Sequence, residues 1–393
     1  MTLHFASRPT VVASRRVSAL ASQLSRTHHT HTLPFRPTRP IGITRHNHIG
    51  IGQNFIRTMA SVPSTMKAVF IDKTGGPEVL DHKTDVPVPT PIDGDILVKN
   101  DLIGINYIDT YFRSGLYPAS QFPYILGREA EGTVVAVGPG DTLGLQVGDR
   151  VVYMGERTYA EYTSTPANRA VKIPSASAFN KPGVAAAALL QGMTALTLVR
   201  ESHRVEKGDW VLVHAAAGGT GLLLCQLLRA IGAHTIGTVS TSAKAELAKG
   251  AGAEHVINYS HEDVKAKVME LTNGEGCIAV FDGVGAATFD LSLECVARKG
   301  SMISFGNASG AVPPFAINRL SAKNARLMRP TLFNYVVTRE EFAGWAEELF
   351  GFVERGELDI HIHEVYPLTE VKRAHEDFEG RKTMGKLLLD PSK

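Results

Sequence analysis

The residues best placed to do chemistry form one short run, Val213-His-Ala-Ala-Ala-Gly-Gly-Thr-Gly221. It follows a strand-like apolar segment at 210–213 and opens a helix-like one at 222–231. The spacing fits G-x-G-x-x-G, with Ala216 in the first place, Gly218 in the second and Gly221 in the third. A side chain at Gly218 would hold a pyrophosphate away from backbone N–H groups, and one at Gly221 would push the helix off its sheet. Gly219 and Thr220 complete the turn, and the anion would rest on the positive end of the helix. Glycine turns also join strand to helix where no nucleotide binds, so the strand-turn-helix context carries the assignment. The next strand ends in Gly237-Thr-Val-Ser-Thr-Ser-Ala-Lys244. An NAD site usually has an acid there for the ribose 2′-hydroxyl. This chain offers hydroxyls, Ser240 among them, and then Lys244. That suits a 2′-phosphate, so the expected cofactor is NADPH, although Lys244 also suits simple solvation of a helix start.

These groups need a frame. Apolar runs at 210–213, 234–237, 255–257, 278–281 and 301–304 start 21 to 24 residues apart, with helical patterns between them. That alternation is the signature of a doubly wound parallel sheet. The 222–231 helix is apolar nearly all round and so buried. From 66 to 169 the strand signals are short and irregular, at 66–71, 95–99, 132–137, 150–153 and 159–163, broken by Gly-Pro turns. They predict a mostly β domain, a barrel or distorted sandwich. Past Arg329 come an amphipathic helix with Phe342, Trp345, Leu349 and Phe352 on one stripe, a short helix at 371–378 and a strand at 386–389. So short a tail cannot build its own core and must return to the first domain. The expected fold class is α/β: a mostly β catalytic domain at 66–189, completed by 330–393, and a Rossmann doubly wound parallel-sheet domain at 190–329.

Composition agrees with a globular chain. Of 393 residues, 44% are hydrophobic and 20% charged, and no run approaches the ~18–20 apolar residues of a membrane span. The three cysteines include no CxxC pair. A disulfide scaffold and a cysteine-rich zinc module are excluded with the membrane span. Cys225 lies in the apolar helix and reads as packing rather than a nucleophile.

The formal net charge of +2 hides an asymmetry. No Asp or Glu precedes Asp72, while residues 1–58 hold eight arginines, six histidines and no lysine. That composition is expected of a disordered mitochondrial transit peptide, which places the mature protein in the matrix. Met59 or Met66 could start a cytoplasmic form. The run His28-His29-Thr30-His31 reads as tail composition, not as a metal site. Without the leader, 33 basic residues face 39 acidic ones, a net of −6 that argues against nucleic acid.

Four motifs, in order, resemble the NADPH:quinone oxidoreductase family, the zeta-crystallin-like branch of the zinc-independent medium-chain dehydrogenase/reductases. They are Gly104-Ile-Asn-Tyr-Ile-Asp-Thr-Tyr-Phe-Arg-Ser-Gly-Leu-Tyr117, Ala215-Ala-Ala-Gly-Gly-Thr-Gly221, Ile257-Asn-Tyr259 and Ser304-Phe-Gly-Asn307. The resemblance implies a GroES-like catalytic domain and a homodimer. It implies that Asn106 and Tyr111 act on substrate, Asn106 as a donor to the reducible carbonyl and Tyr111 as proton donor or aromatic wall. It further implies that Tyr117 lies against the cofactor and that Tyr259 flanks the 2′-phosphate. Ser304, Phe305, Gly306 and Asn307, together with Thr331, Leu332 and Phe333, should border the nicotinamide half. Gln191 and Thr194 should touch phosphates or amide.

Asp282 reads equally as a strand-end cap or a cofactor contact, and the sequons at Asn258 and Asn307 are discounted because they fall inside these segments. Where zinc-dependent relatives have a catalytic Cys and a Gly-His-Glu, this chain has Asn106 and Gly127-Arg-Glu129, so no metal is expected. Hydride transfer to an electron-poor quinone is the expected reaction. Reduction of activated alkenes, alkenals or enoyl thioesters, is the alternative. A crystallin-like or RNA-binding role is a third reading from another class.

Overall fold

The computed structural model describes residues 62–393. The expected leader, its histidine run and the start at Met59 lie outside them. Among the described residues no helix is long and apolar enough to cross a membrane.

Six parallel strands form one sheet, in the spatial order His255–Asn258, His234–Val239, Trp210–Val213, Cys277–Asp282, Val296–Ser304 and Arg326–Met328. Strand order reverses beside Trp210–Val213, and ligands bind outside the carboxyl ends of such a sheet at that point. The first five strands are those the apolar runs predict. Helix Gly219–Ile231 is buried from Gly221 to Leu228 on one face of the sheet. Leu212, Ile236, Val264 and Phe289 build a second core on the other face.

A seven-stranded, mainly antiparallel sheet carries Asp95–Gly104 at its centre, paired with Glu129–Val137, Tyr162–Pro166 and Lys386–Asp390. The chain's last strand thus lies beside the central strand, with Leu388 opposite Gly104. A smaller sheet joins Asp81–Pro87, Thr65–Ile71 and Tyr124–Ile125.

Helix Val184–Thr197 runs through the expected boundary at 189/190 and packs against both layers in one core with Leu102, Val213 and Leu349. Two carboxylates from a single strand hold this helix. Glu131 accepts the backbone N–H groups of Gly183 at 2.7 Å and Ala186 at 3.0 Å, complementing the helix dipole. Glu129 accepts that of Leu190 at 2.8 Å.

Some local expectations shift. The strand expected at 159–163 lies at Tyr162–Pro166, because Tyr159 and Ala160 pair with the first strand instead. The buried stripe of helix Arg339–Glu354 is Phe342, Ala346, Leu349, Phe350 and Val353. Trp345 and Phe352 only flank it.

Candidate functional site

Two cavities adjoin at the carboxyl ends of the parallel strands. The larger, about 390 Å³, is lined by the glycine turn, Ser240, Lys244, Tyr259 and Arg381. The smaller, about 190 Å³, is lined by Asn106, Tyr111, Tyr117, Thr194, Gly306 and residues 329–333. Tyr107, Gln191, Thr220, Gly283 and Phe305 belong to both walls, so the two form one cleft.

At the nucleotide end the turn is tight. Ala215 adopts a left-handed φ of 51°, and Gly218 N–H donates back to Ala215 O at 2.9 Å. The groups left for an anion are therefore the N–H groups of residues 219–221, at the first turn of a helix that no side chain caps. A Cβ at Gly221 would lie 2.3 Å from Ala215 O, and one at Gly219 would lie 1.9 Å from Gln191 Oε1. Backbone contact makes Gly221 obligatory, whereas at Gly219 only the movable end of a side chain stands close.

Gln191 Oε1 and His214 Nε2, both buried, have no hydrogen-bond partner among the described residues. Orphaned polar atoms in a cavity wall fit a polar ligand such as a dinucleotide. Lys244 Nζ donates to Arg381 O at 2.6 Å. Burial, and then the Arg381 charge, hold the Lys244 ammonium below the usual lysine range. Two cations converging beside Ser240 and Tyr259 suit a doubly charged phosphate.

The substrate end is wired differently. Asn106 sits ahead of helix Tyr107–Ser114, where the Asp109 carboxylate accepts its N–H at 2.8 Å. Its side chain is the expected donor to a substrate carbonyl, and part of it is held within the protein. Asn106 Nδ2 donates to Glu129 Oε1 at 2.8 Å, and Asn106 Oδ1 accepts from Lys386 Nζ at 2.8 Å. Lys386 Nζ also reaches Glu129 Oε1 at 2.5 Å, and all three side chains are buried. The second Nδ2 proton reaches only Gly104 O, at 3.5 Å, and Asn106 lines the smaller cavity, so the ion pair fixes the side chain without using up its donors. Arg128 is likewise engaged by Glu156 and Tyr124 and lies over the Phe112 ring. With an amide, an ammonium and a guanidinium around it, the single carboxylate Glu129 is already paired and falls short of the three or four thiolate, imidazole or carboxylate ligands that hold zinc.

Tyr111 keeps its proton. Its hydroxyl oxygen accepts the Asn307 N–H at 2.7 Å, and burial pushes its pKa well above the usual tyrosine value. The phenol O–H is thus left as a donor in the cavity wall, and Tyr117 stacks edge-on against its ring at 5.2 Å.

Two expected cofactor contacts are not on the walls. Ser304 is buried and its carbonyl accepts from Arg329 at 2.8 Å. Asn307 spends its N–H on Tyr111 and its amide on Gly306 and Arg329. The Thr194 hydroxyl donates to Leu190 O at 2.7 Å, within its own helix. Asp282 is the strand-end cap, accepting from Val284 and Gly285 N–H and from the Thr288 and Ser292 hydroxyls. Cys225 is buried and its thiol is pushed up to about 12, which fits packing. Sequence reasoning missed Tyr107, which lines the cleft from inside the Gly104–Tyr117 motif, and Arg381, which lines it from a segment without one.

Comparison with known proteins agrees with this geometry. Residues 92–175 match the alcohol dehydrogenase GroES-like domain, and residues 219–350 match the model described as zinc-binding dehydrogenase. A probable quinone oxidoreductase of Schizosaccharomyces pombe is 45% identical over 322 residues, 82% of this chain and 96% of that one. A 2-haloacrylate reductase of a Burkholderia species is 36% identical over 337 residues, 82% and 98% of the two chains. The crystal structure of Escherichia coli quinone oxidoreductase complexed with NADPH matches with a TM-score of 0.79 at 41% identity, over 83% of this chain and all of that one. With both domains matched and relatives of this identity along most of its length, the chain belongs to the quinone oxidoreductase family of the medium-chain dehydrogenase/reductases.

Proposed function

We propose that this protein reduces quinones with NADPH by hydride transfer. The carrying observation is the single cleft, in which an anion-ready glycine turn and two cations at one end run into an aromatic pocket with a free phenol at the other. Residues 219–221, Lys244, Arg381, Ser240 and Tyr259 would hold the phosphorylated nucleotide, and Gln191, Phe305 and residues 331–333 the nicotinamide half. Bound there, the reduced nicotinamide supplies the hydride.

The chain's own residues do the rest. Tyr107, Tyr117, Phe305 and Phe333 sandwich a flat substrate and exclude water. Tyr111 donates its hydrogen bond to the oxygen on which charge develops, and the Asn307 N–H steadies the phenol as it does so. The Lys386–Glu129–Asn106 lattice keeps the wall in place. The test follows NADPH oxidation with 9,10-phenanthrenequinone, an alkenal and an enoyl thioester, beside NADH controls. Fast quinone turnover with NADPH and little with NADH is expected, and turnover of the alkenes alone overturns the reading. The second reading, alkene reduction, draws support from the 2-haloacrylate reductase relative and from Tyr111 as a protonated acid able to protonate carbon.

We further propose a homodimer and a mitochondrial address. The first is supported by edge strand Arg326–Met328, paired on one side, with Ile317 and Met328 exposed near it. Light scattering of the purified protein decides it. The second is supported by the acid-free, arginine-rich residues 1–58, and import into isolated mitochondria with and without that segment tests it.

A further inference from the structure

We propose that Arg329 is a positioning residue for Tyr111 and acts through one peptide, the link between Gly306 and Asn307. This rests on the reading of Tyr111 as the hydrogen-bond donor to the substrate oxygen.

That peptide lies between the two side chains. Its carbonyl, Gly306 O, accepts from Arg329 Nη1 at 2.9 Å, and its N–H, on Asn307, donates to Tyr111 Oη at 2.7 Å. Arg329 follows strand Arg326–Met328, in which Met328 pairs with Ile303, so it emerges beside Ser304. There Nη1 also donates to Ser304 O at 2.8 Å, and Nη2 donates to the Asn307 side-chain oxygen at 3.0 Å. A planar guanidinium fork suits three such acceptors, and an ammonium does not.

The flanks of the loop are held without Arg329. Phe305 N–H donates to Asp282 O at 2.8 Å, and Ser309 N–H donates to Val284 O at 2.7 Å. Between these anchors the Gly306–Asn307 peptide has no backbone partner among the described residues. The Asn307 amide nitrogen folds back onto Gly306 O at 2.9 Å, and that amide is itself held by Arg329. The tilt of the peptide is therefore set by Arg329 on its oxygen and by Tyr111 on its nitrogen.

Charge travels the same way. A peptide is conjugated, so a cation on its oxygen draws density from its nitrogen and strengthens the N–H as a donor. A phenol oxygen that accepts a stronger bond offers its own proton more strongly. Burial pushes the Tyr111 phenol up, while the Asn307 N–H and then the Arg329 charge oppose that rise. Arg329 thus aims the phenol and sharpens it as a donor, without itself touching substrate.

The test is a double-mutant cycle of Arg329→Gln and Tyr111→Phe, with kcat for 9,10-phenanthrenequinone read at saturating NADPH. Arg329→Gln alone should lower kcat about ten-fold, and it should cost nothing further once Tyr111 is replaced. The same loss in the Tyr111→Phe background, from direct contact with substrate or general damage to the loop, overturns the proposal. So does an unchanged kcat in the single variant. If Arg329→Gln does not fold, Arg329→Lys carries the cycle with a smaller loss, because it keeps the charge and gives up the fork. Nitrogen-15 NMR of asparagine-labelled protein gives a second answer. The Asn307 amide proton should move upfield in Arg329→Gln and in Tyr111→Phe, and a proton unmoved by the first variant overturns the proposal. If Tyr111→Phe turns over as fast as wild type, it is the donor role of Tyr111 that fails, and the amide proton still decides for or against Arg329.

Discussion

The two ends of the cleft solve opposite problems. At the substrate end the polar side chains satisfy one another: Asn106, Glu129 and Lys386 form a closed buried lattice. Beside it Asp109, Tyr159, His375 and Arg113 are joined in a second network, in which Asp109 Oδ1 alone lacks a partner among the described residues. At the nucleotide end the polar groups are left wanting, with an uncapped helix, orphaned Gln191 and His214, and two neighbouring cations. Groups that must hold a fixed shape are paired within the protein, and groups that must bind are kept for the ligand. Damage at the first end should therefore be read in stability, and damage at the second in affinity.

The largest effect should come from Lys386→Met, which strands the Glu129 carboxylate in the interior. A loss of about 3–5 kcal/mol in urea unfolding is expected, mostly recovered when Glu129→Gln is added. A variant as stable as wild type would break the contrast. Tyr111→Phe removes a proton donor but no lattice, so kcat should fall about a hundred-fold with melting little changed. Lys244→Ala should weaken NADPH about fifty-fold and NADH hardly at all in fluorescence titrations. Equal losses for the two cofactors would remove the phosphate from that end.

The smallest effect, per unit of pH, is a slope in stability. Burial raises the Asp109 carboxyl from 3.8 to about 6. Between those values the folded state binds the proton that the unfolded state releases. Stability from this group is thus full below about pH 4 and is lost as pH rises through about 6. Against Asp109→Asn, wild type should lose about 3 kcal/mol across that window in pH-dependent denaturation curves. A flat difference would remove Asp109 from the strained lattice.

The same contrast explains what the sequence could disclose. The glycine turn and the parallel strands were legible because their signals are local: fixed spacing, short apolar runs and glycines demanded by close approach. Lys386 was not, since it meets Asn106 across 280 positions and no local pattern marks it. Arg381 reaches the cleft from a loop with no motif. Helix Tyr107–Ser114 was hidden by Tyr, Ile, Thr and Phe, which favour strands. Its cap at Asn106 with Asp109 and its left-handed Gly115 were the available clues. Strand Asp81–Pro87 shows no apolar alternation because it is mostly exposed. Donors and acceptors that meet over long range leave no trace in spacing, which is why the Glu129 and Lys386 partners of Asn106 are not legible in the sequence.

The strand Lys386–Asp390, described above as a neighbour of Asp95–Gly104, also sets a timetable. During synthesis the parallel sheet, complete at Met328, can close while the end of the chain is still being made. The β layer cannot, because a strand beside its central one and the cation beneath its wall come only with residues 386–390. The order of the sequence thus puts the nucleotide half ahead of the reactive half. A chain stopped before Lys386 would have a finished parallel sheet and a β layer lacking that cation.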